Sequence, residues 1–274
     1  MYLCNMKKLT LLLLAVAVLA LPACKNQGKK AAKATEEHVV TVEEQLVKDA
    51  LKVDFATFLE STKQIKNLPF TKNGEGGISL TAQEKMVKPD YLMDADFTEG
   101  LVTLSQKYRA LGVCIVDKKI AELYDMPVNG YDNAIAKIII SINDPAFNKI
   151  AEEKALPEGE DFSKLMNDEY DAGRANYFWE FAASAMIEQI YISTRDIDRF
   201  TAMFDDQTAA DVTYNFVVLH EGVSSLCKFY PEMESLDNVL GPLYVINAIS
   251  VAQLKDQLIQ LSDDIEAARV FITK

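Results

Sequence analysis

An all-α, antiparallel multi-helix bundle is the fold class this sequence predicts, and three observations carry it. Apolar residues recur at alternating spacings of three and four over long stretches, the signature of helices burying one face. The 8 Pro and 11 Gly fall mostly at breaks between those stretches. No run alternates polar and apolar residues as a half-buried strand would. The bundle is expected to follow a leader and a tether, dividing the chain into residues 1–23, 24–40 and 41–274.

At the N-terminus Met6, Lys7 and Lys8 precede an apolar run from Leu9 to Leu21 that only Thr10 interrupts, followed by Pro22-Ala23-Cys24. A basic head, about a dozen apolar residues and a small residue before the cut describe a secretory signal. The run is shorter than the roughly 20 apolar residues of a membrane span. Leu21-Pro22-Ala23-Cys24 resembles the bacterial lipobox, which implies cleavage before Cys24 and acylation of its thiol. Because the lysine pair follows Met6, translation is expected to start there, leaving Cys4 outside the protein. Residues 24–40 are rich in Lys, Ala, Gln, Asn and Gly, with almost no large apolar side chain, and read as a flexible tether. No acidic cluster follows Cys24, which favours an anchor on the outer membrane facing the periplasm.

Helical periodicity begins near Thr41 with Leu46, Ala50, Val53, Phe55, Phe58 and Leu59. Asn67 to Gly77 is dense in breakers and reads as a loop. Thr81 with Glu84 is a capping box that opens a short helix stopped by Pro89, and Asp96 with Glu99 is a second capping-box candidate. Leu101, Leu104, Tyr108, Leu111 and Ile115 then form a stripe running to about Asp125. Tyr131, Ile135, Ile138 and Ile142 predict a further helix, although Ile138-Ile139-Ile140 alone would suit a strand. Asp144-Pro145 is an N-cap followed by Pro at the first helical position. After a loop at Leu156 to Asp161, Gly173 to Thr194 is the most apolar stretch of the mature chain. Its one polar line is Glu180, Ser184 and Glu188, so this helix is expected at the centre of the fold. Stripes from Ala209 to Tyr230 and from Val251 to Ile272 complete the bundle. The regions of about 41–156 and 161–274 have similar layouts and could be two related halves.

Composition excludes more than it assigns. With 28 basic and 41 acidic residues the net charge is -13, which argues against nucleic acid and against adhesion to anionic lipid by charge. Cys114 and Cys227 both lie in apolar helical stretches, where a free thiol acts as a small hydrophobe; their pairing is left open, since sequence says nothing of their distance. His38 belongs to the tether. His220 has no second His four residues away and is expected half-buried beside a carboxylate from a neighbouring helix. Calcium loops begun at Asp94 or Asn167 put Glu99 or Ala172 where the obligatory Gly belongs. No G-x-S-x-G, phosphate-binding or dinucleotide-binding loop occurs. Neither a cofactor nor a metal is expected. Tyr108, Tyr124, Trp179, Tyr191 and His220 are the candidates for lining a ligand groove, against the plainer reading of the aromatic residues as core.

Lys107-Tyr108-Arg109-Ala110-Leu111-Gly112-Val113, Asp117 and Tyr124-Asp125-Met126-Pro127, with the helix from Trp179 to Tyr191, resemble uncharacterised helical lipoproteins of the Bacteroidota group. The resemblance implies a helical fold and no activity. The expected function is therefore a lipid-anchored envelope lipoprotein with a non-catalytic helical binding or interaction domain. Its partners would be the membrane, through lipid on Cys24, and an envelope protein, with no nucleic acid. The alternatives are an envelope hydrolase using paired carboxylates and a sensor of a small ligand or metal centred on His220.

Overall fold

Helix follows helix from residue 104 onward in the computed structural model, which describes residues 41, 42, 45, 60–72, 77–153 and 155–274. The expected signal, the tether with Cys24 and His38, and the stripe from Leu46 to Leu59 lie outside the described residues. The helices are α1 (Leu104–Leu123), α2 (Asn129–Ile142), α3 (Pro145–Glu153), α4 (Gly159–Asp171) and α5 (Ala175–Arg195). After these come α6 (Ile197–Thr201), α7 (Asp206–Leu226), α8 (Glu234–Leu240), α9 (Val251–Gln260) and α10 (Ser262–Ile272). No strand occurs among the described residues, so the protein is an all-α multi-helix bundle. Nor is any described helix long and apolar enough to cross a membrane.

Local sequence explains most of the boundaries. Thr81 and Glu84 do form reciprocal contacts, Thr81 N–H donating to Glu84 Oε2 at 2.8 Å, but they close only the 3-10 turn Glu84–Met86. The expected box at Asp96 and Glu99 does not form. Asp94 instead caps the 3-10 turn Ala95–Thr98, and Gly100 then takes φ 87°, a left-handed conformation that ends it. The long helix starts one turn later, at a capping box of Thr103 with Gln106. Ile138 to Ile140 are helical, and α2 ends on left-handed Asn143. Asp144 Oδ1 accepts from Ala146 N–H at 3.1 Å, capping α3 as its Asp-Pro pair predicts. α4 begins inside the expected loop, at Gly159, with Glu160 and Asp161 placed favourably in its first turn. The C-terminal stripe is two helices, not one. The chain bends at Leu261 (φ -96°, ψ 10°), where Asp263 and Asp264 supply the acidic first turn of α10. The stripe survives the bend, since Leu254, Leu258, Ile265, Ala268 and Ile272 are all buried.

α5 is the centre. Only Tyr177, Ala182, Thr194 and Arg195 of its side chains escape full burial, and α1, α4, α7, α9 and α10 all pack on it. α10 runs antiparallel to α5, because contacts rise on one while falling on the other (Glu188 with Arg269, Arg195 with Glu266). α1 runs parallel to it. Its contacts climb together, from Arg109 on Glu180 through Gly112 on Ser184 to Asp117 beside Glu188. The described residues form one compact unit, and both expected halves contribute to the same core.

Candidate functional site

Two faces of α5 carry polar groups into the core, and they differ in kind. One is the charged line Glu180, Ser184 and Glu188. Arg109 Nη1 donates to Glu180 Oε2 at 2.9 Å, with the Arg109 guanidinium 4.8 Å from the Phe271 ring centroid. Arg269 grips Glu188 with Nε and Nη2 at 3.0 Å each, and its Nη2 also donates to Tyr91 O at 2.8 Å. Its guanidinium lies 3.8 Å from the centroid of the Tyr191 ring, with Arg195 at 4.2 Å from the same centroid. Asp117 is fully buried here. Its Oδ2 accepts from Met93 N–H at 2.9 Å. Burial, and then the charge of Glu188 beside it, hold its carboxyl well above the usual carboxylate range. Its Oδ1 is buried with no hydrogen-bond partner, a setting that favours the protonated, neutral carboxyl.

A second acidic pair lies between α3 and α4. Arg174 donates to both Asp144 and Glu169, with bonds of 2.9 to 3.1 Å, and Tyr108 Oη donates to Asp144 Oδ2 at 2.6 Å. Burial pushes Glu169 up to about 7 despite the guanidinium. Both acidic pairs are sealed. Asp117, Asp144, Glu169 and Glu188 are at most 3 % exposed, and none lines the clefts found among the described residues. Buried ion pairs of this kind fix geometry and are weak evidence for chemistry.

The other face is a cleft. Trp179, Ala182, Met186 and Gln189 follow one another at helical spacing along α5 and form its floor. Phe162 of α4 and Leu219 of α7 make its walls, around a cavity of about 50 Å³. Gly222 builds this corner. A Cβ there would lie 2.3 Å from the Trp179 ring, so only glycine lets the indole rest on the α7 backbone. Trp179 Nε1 donates to Tyr170 Oη at 3.3 Å, which satisfies the ring's one donor.

The polar end of the cleft is made of amides. Gln189 Oε1 accepts from Leu68 N–H at 3.1 Å and Thr71 Oγ1 at 2.9 Å, while its Nε2 donates to Ala185 O. Asn67 Nδ2 donates to Leu156 O and Glu158 Oε1. Asn215 Nδ2 donates to Lys66 O at 2.8 Å, and Asn215 Oδ1, on a residue 6 % exposed, has no hydrogen-bond partner. No lining side chain is ionisable. The side chains lining the cleft include no acid, base or nucleophile.

Of the residues singled out from sequence, Trp179 alone lines this cleft. Tyr108 is buried against Tyr177, ring planes 2° apart with centroids at 4.9 Å. Buried Tyr124 accepts from Arg199 Nη1 at 2.8 Å, and Tyr191 sits between two arginines. His220 is exposed, its ring 4.1 Å from that of Tyr244. It is therefore not the half-buried, carboxylate-bonded histidine expected, because its position on α7 turns just outside the buried stripe. No group of His, Cys, Asp and Glu able to hold a metal occurs among the described residues. Cys114 is buried, Cys227 half-buried, and both are free thiols. The amides Gln189 and Asn215 were missed, although a signal existed. Asn215 lies three residues after Val212 and four before Leu219, a polar residue on an otherwise buried stripe.

Comparison with protein-family models, with curated proteins and with solved structures gives no match to this chain.

Proposed function

We propose that the protein is a lipid-anchored lipoprotein of a Gram-negative envelope, held through Cys24 and facing the periplasm, whose helical domain is a non-catalytic binding module. The binding half of this reading rests on the cleft beside Trp179, an apolar concavity closed at one end by uncharged amides, which is the composition of small-ligand sites. The anchoring half rests on Leu21-Pro22-Ala23-Cys24 behind its apolar run. An envelope hydrolase would need an accessible acid–base pair; Asp144 and Glu169 are instead buried and tied to Arg174. A sensor centred on His220 has little support, since that ring meets only Tyr244 among aromatic groups and stands in solvent.

Two measurements test the proposal separately. Cells fed labelled palmitate should label the protein and retain it in the membrane fraction, and Cys24→Ser should abolish both; labelling that survives the substitution refutes the anchor. For binding, Trp179 is the only tryptophan in the chain, so its emission reports on the cleft alone. Small apolar molecules should change that emission saturably. A flat response across alcohols, ethers and aromatic hydrocarbons refutes the binding module. Cross-linking in the native membrane then asks whether an envelope protein also docks.

A further inference from the structure

The chain carries 41 acidic residues against 28 basic, yet one cleft reverses that balance. Loop residues, the 3-10 turn Glu84–Met86 and the last turns of α1 enclose about 330 Å³, lined by Lys72, Lys85 and Lys119 against the single carboxylate of Glu122. The three cations are not equivalent. Lys85 Nζ lies 2.9 Å from Asp125 Oδ1, and Lys119 Nζ lies 3.6 Å from Glu122 Oε2, a looser pair. Lys72 is half-buried and has no ion pair among the described residues. The wall that carries it is fixed on both sides. Lys72 N–H donates to Leu68 O at 3.1 Å, and Ile78 N–H donates to Pro69 O at 3.0 Å. An ammonium held partly out of water beside two further lysines is stabilised by an anion. The remaining walls include half-buried Ile78, Leu80 and Leu123, which a bare inorganic anion would leave wet.

We propose that this cleft binds a small organic anion, a carboxylate carried on an apolar body, with Lys72 as its counter-ion and Ile78, Leu80 and Leu123 against the body. The volume is that of a small-molecule site. It shares no lining residue with the cleft beside Trp179 and does not rest on that reading. A neutral molecule of the same shape forgoes the charge-assisted contact, and a short anion forgoes the apolar burial; each should bind at least about tenfold more weakly.

The lysines of the full chain are reductively methylated with carbon-13, which keeps their charge. The methyl resonance absent from a Lys72→Arg sample is then followed in titrations with octanoate, acetate and 1-octanol. Octanoate should move it saturably, with a midpoint at least about tenfold below those of acetate and octanol. Lys72→Met, its fold checked by circular dichroism, should weaken octanoate binding about tenfold by calorimetry. Should that variant misfold, the resonance titrations decide without it. Equal midpoints for octanoate and octanol would show that charge contributes nothing, and equal midpoints for octanoate and acetate would show the same of the apolar walls; either overturns the proposal. A Lys72 resonance that stays still while octanoate changes Trp179 emission would put the anion in the other cleft, overturning this inference and leaving the binding module standing. No response from either probe would overturn this inference, and the binding module would then stand or fall on its own screen of neutral molecules.

Discussion

Gly112→Ala tests the close approach on which the bundle is built. A Cβ on Gly112 would lie 2.3 Å from Ser184 Oγ, 2.8 Å from Phe181 O and 3.0 Å from Ala185 N. The Ser184 hydroxyl can rotate away, but the two backbone atoms belong to α5 and cannot. α1 and α5 would have to separate by roughly half an ångström, which forfeits about a quarter of the dispersion attraction of each contact across the interface. Overpacking typically costs about 1–3 kcal/mol, and backbone against backbone belongs at the top of that range. Alanine in a helix interior returns about 1 kcal/mol relative to glycine. The net is a loss of about 2 kcal/mol, or a fall in Tm of about 4–8 °C for a domain of this size. Thermal unfolding followed by circular dichroism at 222 nm measures it. Adding Ser184→Ala to Gly112→Ala should recover only part of the loss. A Gly112→Ala protein as stable as the original, or a full rescue by Ser184→Ala, would refute the backbone contact.

The buried acids predict a pH dependence of definite sign. Glu169 ordinarily titrates near 4.5 and is raised to about 7 in the folded protein, so between those values the folded state holds a proton that the unfolded chain has released. Its contribution to stability is complete below about pH 4.5 and is lost as pH rises through about 7; Glu169→Gln should flatten that slope in urea titrations run across this range. Asp117, also raised, acts in the same direction and over a window that extends upward from about 3.8. Asp117→Asn keeps an acceptor for Met93 N–H and stands in for the neutral carboxyl, so it should match or exceed the original stability at pH 8; a marked loss there would show that the ionised carboxylate is the stable form. Burial raises the thiol of Cys114 well above its ordinary value and that of Cys227 to about 11. Neither should alkylate quickly at pH 8 until denaturant is added, and a Cys114–Cys227 peptide in a non-reducing digest would contradict the free thiols.

Periodicity made the bundle readable because long stripes such as Leu104 to Ile115 and Ala209 to Leu226 leave one face to bury and few ways to bury it. The centrality of α5 was legible for the same reason. What pattern alone could not reveal was which charges meet. Glu180 and Glu188 read as a polar line, yet their partners Arg109 and Arg269 come from helices 71 and 81 residues away. Boundaries slipped where backbone conformation overrode side-chain pattern, at left-handed Gly100 and at the bend of Leu261. The groove candidates were chosen for aromatic bulk, and bulk is also what a core requires, so only Trp179 reaches a cleft. Asn215 was legible in principle as an amide on a buried stripe, but its missing hydrogen bond exists only in three dimensions.

The parallel pairing of α1 with α5 bears on how the chain reaches this state. Neighbours in sequence cannot make it: α2, α3 and α4 all lie in the connection between two helices that end up side by side, and Arg109 meets Glu180 only after a 71-residue loop has closed. Glu188 waits longer still, for Arg269, five residues before Lys274. Helical proteins dominated by local contacts fold fast, and this one concentrates its defining contacts far apart in sequence. Folding kinetics should therefore resemble those of mixed α/β domains more than those of an up-and-down bundle. A chain lacking α10 should leave its most apolar helix without its guanidinium partner, and so prone to aggregate before it folds.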